Sequence, residues 1–528
     1  MSRRLVLAVD HGTSGIKAAL ATLRGEIAGF EHRPTPTRFL SGGGAEQDPE
    51  EWWRALSEAS RALIASDARG RDEIAAVSVS STFSTTVAVD ESGRHLAPAL
   101  TWMDSRAAPH VRRLVAGFPR VAGYGLLPAL RWIRSTGGAP ALSGKDDLAH
   151  VLFWRDERPE VYERARAFLP SKDYLNARLT GRIAATFDSI HLFWLTDIRD
   201  PARIRYDPAL VDRSGVDPAK LPPLGAATDV LGPLSSEAAA ALGLTPGIPV
   251  LGGTPDHQAA LLGSGAVGDL EAHLYVGTSS WIECLVPFKR TDPLHSIASF
   301  PSAIPGRYQC VDEQDMAGGC LDFLARSLLP GERAEDGRYA RIDQLAAAAP
   351  PGAGGVLFTP WLNGERTPVD DETLRGGLHG LSTASRPEHI ARAVLEGVAL
   401  NTRWSLGYVE RFLRRRLEPI RIVGGGARSE VWCGIFADVL GREVHVVRDP
   451  IAANARGAAF VAALGLGEVR LEDLRALVPV DRVHRPDPAL RGLYDDLFAA
   501  FLELYRRSRR RARRLEAHQR RAARPRKR

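Results

Sequence analysis

The residue best placed for chemistry in this sequence is Asp256, which lies shortly after a pair of glycines. The apolar residues from 248 to 251 predict a short strand, while Thr254 and Pro255 suit the N-cap and first turn of a helix over about 257–262. At such a junction, backbone N–H groups help to keep a carboxylate ionised. The carboxylate of Asp256 could then accept a proton from a substrate hydroxyl. Taken alone, this aspartate is better interpreted as a plain helix cap.

Two strand–turn–strand segments, 5–20 and 272–286, carry the same turn sequence about half a chain apart. Gly12-Thr13-Ser14-Gly15 in the first matches Gly277-Thr278-Ser279-Ser280 in the second, which indicates a duplicated domain. Each turn offers glycine N–H groups and two hydroxyls, a combination that suits an anion such as phosphate. Either turn alone could be an ordinary hairpin, but an aspartate precedes each of them. Together they therefore favour a phosphate site.

A further set of polar residues could bind a substrate rich in hydroxyl groups. The segment 80–86, Ser-Ser-Thr-Phe-Ser-Thr-Thr, follows a predicted buried strand. Trp102 lies two residues before Asp104 and four residues before Arg106. An aspartate and an arginine beside a tryptophan could grip a polyol, or they could form a surface ion pair. The sequence leaves both interpretations open.

The bulk composition limits the class of protein. A chain of 528 residues with 44% hydrophobic residues can form two or three domains with full cores. No apolar run reaches the length of a membrane span, and the N-terminus enters a strand directly after residues 2–4, so we expect neither a membrane anchor nor a signal peptide. The four cysteines lack C-x-x-C spacing, which favours free thiols in a cytoplasmic protein and disfavours a zinc site.

The net charge of +6 is distributed unevenly along the chain. Residues 506–528 hold twelve arginines and one lysine against one glutamate, a net charge of +12, so the other 505 residues carry −6. Six lysines against 63 arginines indicate an arginine-biased genome rather than a nucleic-acid footprint. We expect residues beyond 506 to form a solvated extension, although a basic tail could also touch nucleic acid or an acidic surface.

The elements around the first turn are predicted from their hydrophobic patterns. Three strands over 5–9, 16–23 and 26–30 form an antiparallel meander. Asp48 and Pro49 predict the start of a helix. Further predictions in the first half are strands at 74–79 and 87–89, helices through 107–165, a helix from Ser171 to about 180, and a domain junction at Gly247.

The second half ends in an alternation of helices and strands. The predicted elements are a helix over 387–413, a strand over 420–423, a glycine-rich turn over 424–429, a helix over about 430–440, a strand over 444–447, a small-residue helix over 453–464 and an apolar-striped helix over 490–505. A glycine-rich turn between a strand and a helix lets a nucleotide lie against the backbone. This turn fits neither the P-loop nor the G-x-G-x-x-G pattern.

These residues, in this order, resemble the FGGY family of carbohydrate kinases over about residues 5–480. The most specific match is Gly376-Gly377-Leu378-His379-Gly380-Leu381, followed after seven residues by the segment 389–396. Segments 171–175, 363–368 and 424–429 look most like those of the xylulokinase branch. The resemblance implies an α/β fold with two ribonuclease-H-like domains of the actin, hexokinase and Hsp70 type flanking a central cleft. The expected parts are an N-terminal domain over 1–247, a C-terminal domain over 248–480, and a helix with an Arg-rich tail over 481–528.

The resemblance also implies roles for the residues singled out above. Asp256 takes the position of the general base, and Asp10 and Asp256 lie near the Mg²⁺ that accompanies ATP. The residues that match ATP-binding positions are Asp10, Gly12, Thr13, Ser14 and Lys17 in the first hairpin, Gly277, Thr278 and Ser279 in the second, and Gly425, Gly426 and Ser429 near the adenosine. The residues that would surround the acceptor are Phe83, Ser84, Thr85, Trp102, Asp104, Arg106 and His257.

The acceptor side departs from the family pattern. Xylulokinases carry Met-His-Gly, and glycerol kinases Arg-Glu-Thr, where this chain has Phe83-Ser84-Thr85. Asp104 and Arg106 do fit the Trp-x-Asp-x-Arg pattern, whereas His257 stands where xylulokinases have asparagine. We therefore expect a kinase that transfers the γ-phosphoryl group of ATP to a ketopentose such as xylulose or to a related sugar or polyol. Ribulose, a tetritol, glycerol or a deoxy sugar are the alternative acceptors.

A nucleotide-gated binding protein is the rival from another functional class, because the same fold also serves chaperone and filament ATPases. A carboxylate in the position of a general base argues against it, since a pure binder has no need of one. The partners implied are a small sugar or polyol, ATP, and a second copy of the chain, because family members often dimerise. We expect no membrane partner and no nucleic-acid partner.

Overall fold

Two mixed β-sheets built in the same strand order form the framework of the molecule. The computed structural model describes residues 4–66, 73–328 and 335–522. The first sheet has the strand order Val230–Pro233, Pro249–Leu251, Ile74–Ser81, Leu5–Gly12, Gly15–Thr22 and Ile27–Pro34, and Thr254–Pro255 also pairs with Ile74–Ser81. The second sheet has the order Thr291–Asp292, Ile297–Pro301, Tyr308–Val311, Ser280–Val286, Ala272–Val276, Ile420–Val423, Val444–Val447 and Val480–His484.

The predicted duplication is visible in the strand pairing. In the first sheet, Leu5–Gly12 pairs antiparallel with the strand after its turn and parallel with Ile74–Ser81. In the second sheet, Ala272–Val276 pairs antiparallel with Ser280–Val286 and parallel with Ile420–Val423. Each central strand is buried along nearly its whole length, as expected where a sheet is covered on both faces. Both hairpins predicted from the repeated turn are therefore confirmed.

Helices and small sheets surround these two sheets. The α-helices are Pro49–Ser66, Ala108–Leu114, Leu126–Thr136, Asp147–Glu157, Pro159–Arg164, Ser171–Thr180, Pro208–Ser214, Ser236–Leu242, Asp256–Ser264, Gly318–Ser327, Glu335–Ala348, Pro387–Leu413, Glu430–Leu440, Ala453–Gly465, Leu474–Leu477 and Arg491–Ala522. A five-stranded sheet contains Ala167–Pro170, Thr86–Val89, Ala99–Leu100, Gly44–Gln47 and Arg38–Leu40. The two-stranded sheets are Arg120–Val121 with Tyr124–Gly125, Ala185–Thr186 with Leu224–Gly225, Thr196–Asp197 with Arg205–Tyr206, and Leu357–Thr359 with Gly377–His379.

Several predicted elements differ from the structure. The region 107–165 is not continuously helical, because the short hairpin at 120–125 and two further breaks divide it into four helices. The final helix continues through Ala522 instead of ending near residue 505, since arginine is a good helix former. Residues 523–528 of the predicted tail lie outside the described residues. The first sheet continues beyond the predicted junction at Gly247, as Pro249–Leu251 belongs to it.

Two central helices join the halves of the molecule. Helix Ala453–Gly465 follows a strand of the second sheet, yet five of its alanines share a buried cluster with the first sheet. It crosses helix Asp256–Ser264 so closely that a Cβ at Gly457 would lie 1.9 Å from the carbonyl oxygen of Ala259. Glycine and alanine at this crossing allow the two backbones to touch. The small-residue helix predicted over 453–464 is confirmed.

The four cysteines are buried free thiols, as predicted. In the parts of the chain that the structure describes, no helix combines the length and the apolar character needed to cross a membrane.

Candidate active site

The buried carboxylate of Asp10 stands at the end of the first central strand. Only 2% of the residue is exposed, and its partners come from two neighbouring strands and from Asn454 of the helix Ala453–Gly465, whose amide lies 3.5 Å from both carboxylate oxygens. Lys17, its register partner across the hairpin, places Nζ 3.2 Å from Oδ2. Ser80, its partner on the parallel strand, donates its hydroxyl to Oδ1 at 3.2 Å. The Asp10 charge holds the pKa of Lys17 well above its usual range, so this hairpin presents a permanent cation beside a carboxylate.

Asp256 begins a helix, but Thr254 is not the cap that the sequence predicts. Thr254 and Pro255 instead form a short parallel bridge to Ser80 and Ser81. The Thr254 hydroxyl donates to Asp188, so a distant partner has displaced the local capping interaction. The helix therefore starts at Asp256 itself, with Pro255 as its N-cap residue. This arrangement brings Asp256 close to Asp10, whose charge acts on it.

The carboxyl group of Asp256 has a strongly raised affinity for protons. Burial raises its pKa to about 7, the charges of Asp10 and Glu313 add to the rise, and the neighbouring His257 opposes it. The expected contribution of a backbone N–H is present, because that of His257 donates to Oδ1 at 2.9 Å and lowers the pKa, but desolvation outweighs it. A carboxyl group that titrates near neutral pH is suited to accept a proton at the pH of the cell.

His257 is held by a carboxylate from the second sheet. Its Nδ1 lies 2.6 Å from Oε1 of Glu283, and the amide of Gln309 donates to the other Glu283 oxygen. Burial by itself would lower the His257 pKa, but Glu283 raises it to about 9. Histidine therefore carries a positive charge next to Asp256 at neutral pH. Glu283 and Gln309 were not predicted from the sequence as site residues.

Three aromatic rings form a stack beneath these groups. His257 stacks on Trp281 and Trp281 stacks on Tyr275, each pair with ring centroids 4.0 Å apart and nearly parallel planes. Phe83 approaches His257 edge-on at 5.7 Å from the first domain. Tyr275 and Trp281 were missed at the sequence level, yet they are direct cross-strand partners in the second hairpin. Because one residue lies two positions before the turn at 277–279 and the other two positions after it, the sequence already indicated that their rings face each other across the hairpin.

The two Gly-Thr-Ser turns are anchored by hydrogen bonds to neighbouring segments. In the first, Thr13 Oγ1 accepts a hydrogen bond from the indole of Trp102 at 3.0 Å, while Ser14 is exposed. In the second, the carbonyl oxygens of Gly277 and Thr278 accept from N–H groups at 317–319, at the start of the following helix. These two carbonyl oxygens, which would repel an anion, are therefore hydrogen-bonded to the start of that helix.

Two of the predicted acceptor residues, Asp104 and Arg106, are bonded to each other. Arg106 binds Asp104 through Nε at 3.0 Å and through Nη2 at 2.6 Å, and Nη2 also contacts Glu46. Asp104 is 1% exposed and also accepts from the backbone N–H of Ala45. This is a buried network rather than the surface ion pair considered from the sequence, and in this conformation its carboxylate faces protein partners.

The first acceptor loop shows the same pattern. Ser84 adopts a left-handed backbone conformation and donates its hydroxyl to the carbonyl oxygen of Lys145 at 2.7 Å. Thr85 is buried as well. Phe83 and Trp102 are both partly exposed. The surface that these segments expose is therefore more aromatic than expected from the many hydroxyl-bearing residues of the segment 80–86.

The glycine-rich turn of the second domain lies against the second hairpin. Gly424 has a φ of 90°, and a Cβ at Gly426 would lie 2.4 Å from the side chain of Val276, which directly precedes Gly277. Ser429 caps the next helix by accepting from Trp432 N, and its hydroxyl donates to Asp343 at 2.7 Å. The strand, turn and helix predicted at this point are confirmed, and the turn adjoins the second Gly-Thr-Ser loop.

Comparison with known proteins identifies the family. The models of the N-terminal and C-terminal domains of the FGGY family of carbohydrate kinases match residues 5–263 and 273–466. The xylulose kinase of Escherichia coli (strain K12) is 28% identical over 506 residues, which span 95% of this chain and 98% of that protein. The crystal structure of xylulose kinase from Rhodospirillum rubrum has a TM-score of 0.81 at 28% identity, covering 97% of this chain and 100% of that one.

The structure of a gluconate kinase from Lactobacillus acidophilus has a TM-score of 0.82 at 23% identity, covering 96% of this chain and 98% of that one, and so shares the fold. The predicted fold class, two ribonuclease-H-like domains around a cleft, is thereby confirmed. Since the two family models together match most of the sequence, the chain belongs to the FGGY family of carbohydrate kinases.

Proposed function

We propose that this carbohydrate kinase transfers the γ-phosphoryl group of ATP to a hydroxyl of a ketopentose such as xylulose, or of a related sugar or polyol, with Asp256 as the general base. The observation that carries the proposal is the placement of Asp256 two residues after Thr254, which pairs with Ser80, the residue that pairs with Asp10 on its other side. Burial raises the pKa of Asp256 to about 7. The similarity to xylulose kinases over nearly the whole chain supports the ketopentose. Membership of a kinase family argues against the alternative, a non-kinase binding protein.

Phosphoryl transfer depends mainly on alignment and on stabilisation of charge. In the proposed reaction, the ionised carboxylate of Asp256 accepts a hydrogen bond from the attacking hydroxyl, orients its oxygen and takes its proton as the bond to phosphorus forms. Lys17 supplies a positive charge next to Asp10, where the negative charge of the phosphates has to be balanced. His257 keeps part of the Asp256 population ionised, because its charge opposes the rise in the Asp256 pKa.

The residues present fit a magnesium ion that arrives with the nucleotide. The described residues hold no group of three or more His, Cys, Asp or Glu side chains that could bind a metal by themselves. Magnesium in kinases is held by one or two carboxylates together with phosphate oxygens and water. We assign Asp10 and Asp256 as those carboxylates; the ion would neutralise phosphate charge.

The nucleotide is assigned to the surfaces around the two repeated turns. Gly12, Thr13 and Ser14 and their counterparts Gly277, Thr278 and Ser279 would hold the β- and γ-phosphates through backbone N–H groups and hydroxyls. The glycine-rich turn with Gly425, Gly426 and Ser429 would lie along the adenosine. The contact between that turn and Val276, next to Gly277, supports one continuous nucleotide surface.

The acceptor is the least constrained part of the proposal. Ser84 and Asp104 are already bonded within the protein, whereas Phe83 and Trp102 remain partly exposed. Ribulose, a tetritol, glycerol or a deoxy sugar therefore remain the alternative acceptors. A gluconate kinase has the same fold, so kinases of sugar acids also use this architecture.

The experiment measures ADP release from MgATP with a panel of ketoses, aldoses, polyols and aldonates, for the wild type and for Asp256→Asn. We expect one class of acceptor to stimulate ADP release at least tenfold, and the substitution to remove that stimulation. The absence of stimulation by every sugar would refute the substrate class. Stimulation that survives in Asp256→Asn would refute the assignment of the base.

A further inference from the structure

The segment Ser171–Leu175, which resembles that of xylulokinases, has no part in the reaction described so far. It forms the start of the helix Ser171–Thr180, and both Lys172 and Asp173 are fully buried. Lys172 Nζ donates to Asp173 Oδ1 at 2.5 Å. Burying a lysine is costly even when it is paired, and an apolar pair of similar size often fits a core at least as well. A structural role in the core therefore does not explain why a charged pair stands here.

Lys172 and Asn176 share one acceptor outside their own helix. The carbonyl oxygen of Gly252 accepts from Lys172 Nζ at 3.0 Å and from Asn176 Nδ2 at 2.7 Å. Gly252 lies only four residues before Asp256. Two donors from one helix therefore fix the direction of a single peptide group in the segment that leads to the proposed base.

Neighbouring residues of the same helix bond to other supports of that segment. Ser171 donates to the hydroxyl of Ser81 at 2.9 Å, and Ser81 is the strand partner of Pro255. Asp173 accepts from the hydroxyl of Ser189 at 2.6 Å. Ser189 directly follows the aspartate that accepts from Thr254. Contacts from this helix and its partners thus reach the segment at positions 252, 254 and 255.

The backbone of this segment leaves no room for adjustment. A Cβ at Gly252 would lie 2.6 Å from the carbonyl oxygen of Ala226, and one at Gly253, where φ is 70°, would lie 2.0 Å from the carbonyl oxygen of Val79. With the chain confined on these sides, the orientation of the Gly252 carbonyl decides how the chain enters the helix of Asp256.

We propose that Lys172 and Asn176 are positioning residues for Asp256: they clamp the Gly252 carbonyl and so fix the place of the carboxylate relative to the attacking hydroxyl. This inference rests on the proposed role of Asp256 as the base. A displacement of about 1 Å in a catalytic group can cost roughly 10²-fold in rate. Ground-state binding of the sugar and of ATP does not depend on the clamp.

Two variants each remove one donor of the clamp without leaving a buried charge unpaired. Asn176→Leu replaces one donor by a side chain of similar size, and it also removes Asn176 Oδ1, which has no partner among the described residues. Lys172→Met combined with Asp173→Asn removes the buried ion pair as a unit. Ser60→Ala is the matched control, because Ser60 is a buried donor to the carbonyl oxygen of Leu242 elsewhere in the first domain.

The kinetic test uses D-xylulose with saturating MgATP, or the sugar of the panel that gives the most ADP. We expect kcat to fall about tenfold in Asn176→Leu and about 10²-fold in the double variant. The KM for the sugar should stay within about twofold, as should ATP hydrolysis without sugar. Ser60→Ala should retain the wild-type kcat. A change in the KM for the sugar without a fall in kcat would overturn the clamp. A kcat that is unchanged in both variants would overturn it as well.

A double-mutant cycle with Asp256→Asn separates positioning from general damage. Once the base is absent, the clamp variants should lower the residual rate by less than about twofold; an undiminished loss would show that they act elsewhere. Hydrogen exchange at the amides of Gly252, Gly253, Thr254 and Asp256, which needs no acceptor, should accelerate in Asn176→Leu and remain slow in Ser60→Ala. If Asp256→Asn is itself fully active, the proposed base fails, and the exchange result still decides whether the clamp exists.

Discussion

His257 Nδ1 lies 2.6 Å from the carboxylate of Glu283, and the two residues come from different parts of the molecule: His257 from the helix that Asp256 begins, Glu283 from the second sheet. The contact therefore joins the helix that Asp256 begins to the sheet that carries the second Gly-Thr-Ser turn. Because Glu283 raises the His257 pKa to about 9, the strength of this contact depends on pH.

The His257–Glu283 pair should make stability fall in alkaline solution. The folded-state pKa of His257, about 9, exceeds its ordinary value of 6.5, so the stabilisation is fully present below pH 6.5 and is lost as the pH rises through 9. We expect the Tm of the wild type to decrease by at least about 3 °C across this window beyond the change in Glu283→Gln. Differential scanning fluorimetry from pH 6 to 9.5 measures this; parallel curves for the two proteins would contradict it.

The rate of phosphoryl transfer should depend on the ionisation of Asp256. Since the base works as a carboxylate and burial raises its pKa to about 7, kcat/KM for the sugar should rise tenfold per pH unit below about pH 7 and level off above it. Saturating Mg²⁺ should shift the midpoint downwards, because the cation favours the ionised form. A flat profile between pH 5.5 and 8 would disprove a base with this pKa.

Lys17 should matter for the transition state rather than for the fold. It is a partly exposed cation beside Asp10, so Lys17→Met removes charge stabilisation near the phosphates. We expect kcat to fall by about 10²-fold, while Lys17→Arg, which keeps the charge, retains more activity. The Tm of both variants, compared with the wild type, shows whether the fold has changed; equal activity of Met and Arg at this position would exclude an electrostatic role.

Gly277 should not tolerate a side chain while Tyr275 is present. A Cβ at Gly277 would lie 2.4 Å from the Tyr275 ring, which cannot swing away freely because it is stacked on Trp281. We expect Gly277→Ala to destabilise the protein by about 1–3 kcal/mol and to raise the KM for ATP. In a Tyr275→Ala background, where the ring is absent, Gly277→Ala should cost little further stability in urea unfolding, whereas additive losses would show that the ring is not the obstacle.

The sequence predicted the features that depend on local patterns. The helix 387–413 has the bounds expected from its periodicity and from the proline that follows it, and the repeated Gly-Thr-Ser turns correctly indicated two equivalent hairpins. The sequence did not predict contacts between residues that are far apart along the chain. Thr254 has the side chain of a helix cap, but its hydroxyl donates a hydrogen bond to Asp188, 66 residues away along the chain.

The electrostatics of the site were predictable only in part. An aspartate at a helix start is expected to be ionised, and nothing near position 256 in the sequence reveals the burial that raises its pKa. Gln309 meets Glu283 because two strands of the second sheet are adjacent, and Glu283 in turn binds His257 from the helix that Asp256 begins. The roles assigned to individual site residues remain predictions that the experiments above address.

The crossing of the two central helices has a consequence for synthesis of the protein. One face of the first sheet is covered by helix Ala453–Gly465, which the ribosome makes more than 350 residues after the strand Ile74–Ser81. At roughly 5–20 residues per second, that apolar face stays bare for tens of seconds in every nascent chain. The N-terminal half therefore cannot complete its core until the helix Ala453–Gly465 has been made, and we expect a chain truncated before residue 453 to aggregate or to be retained by chaperones.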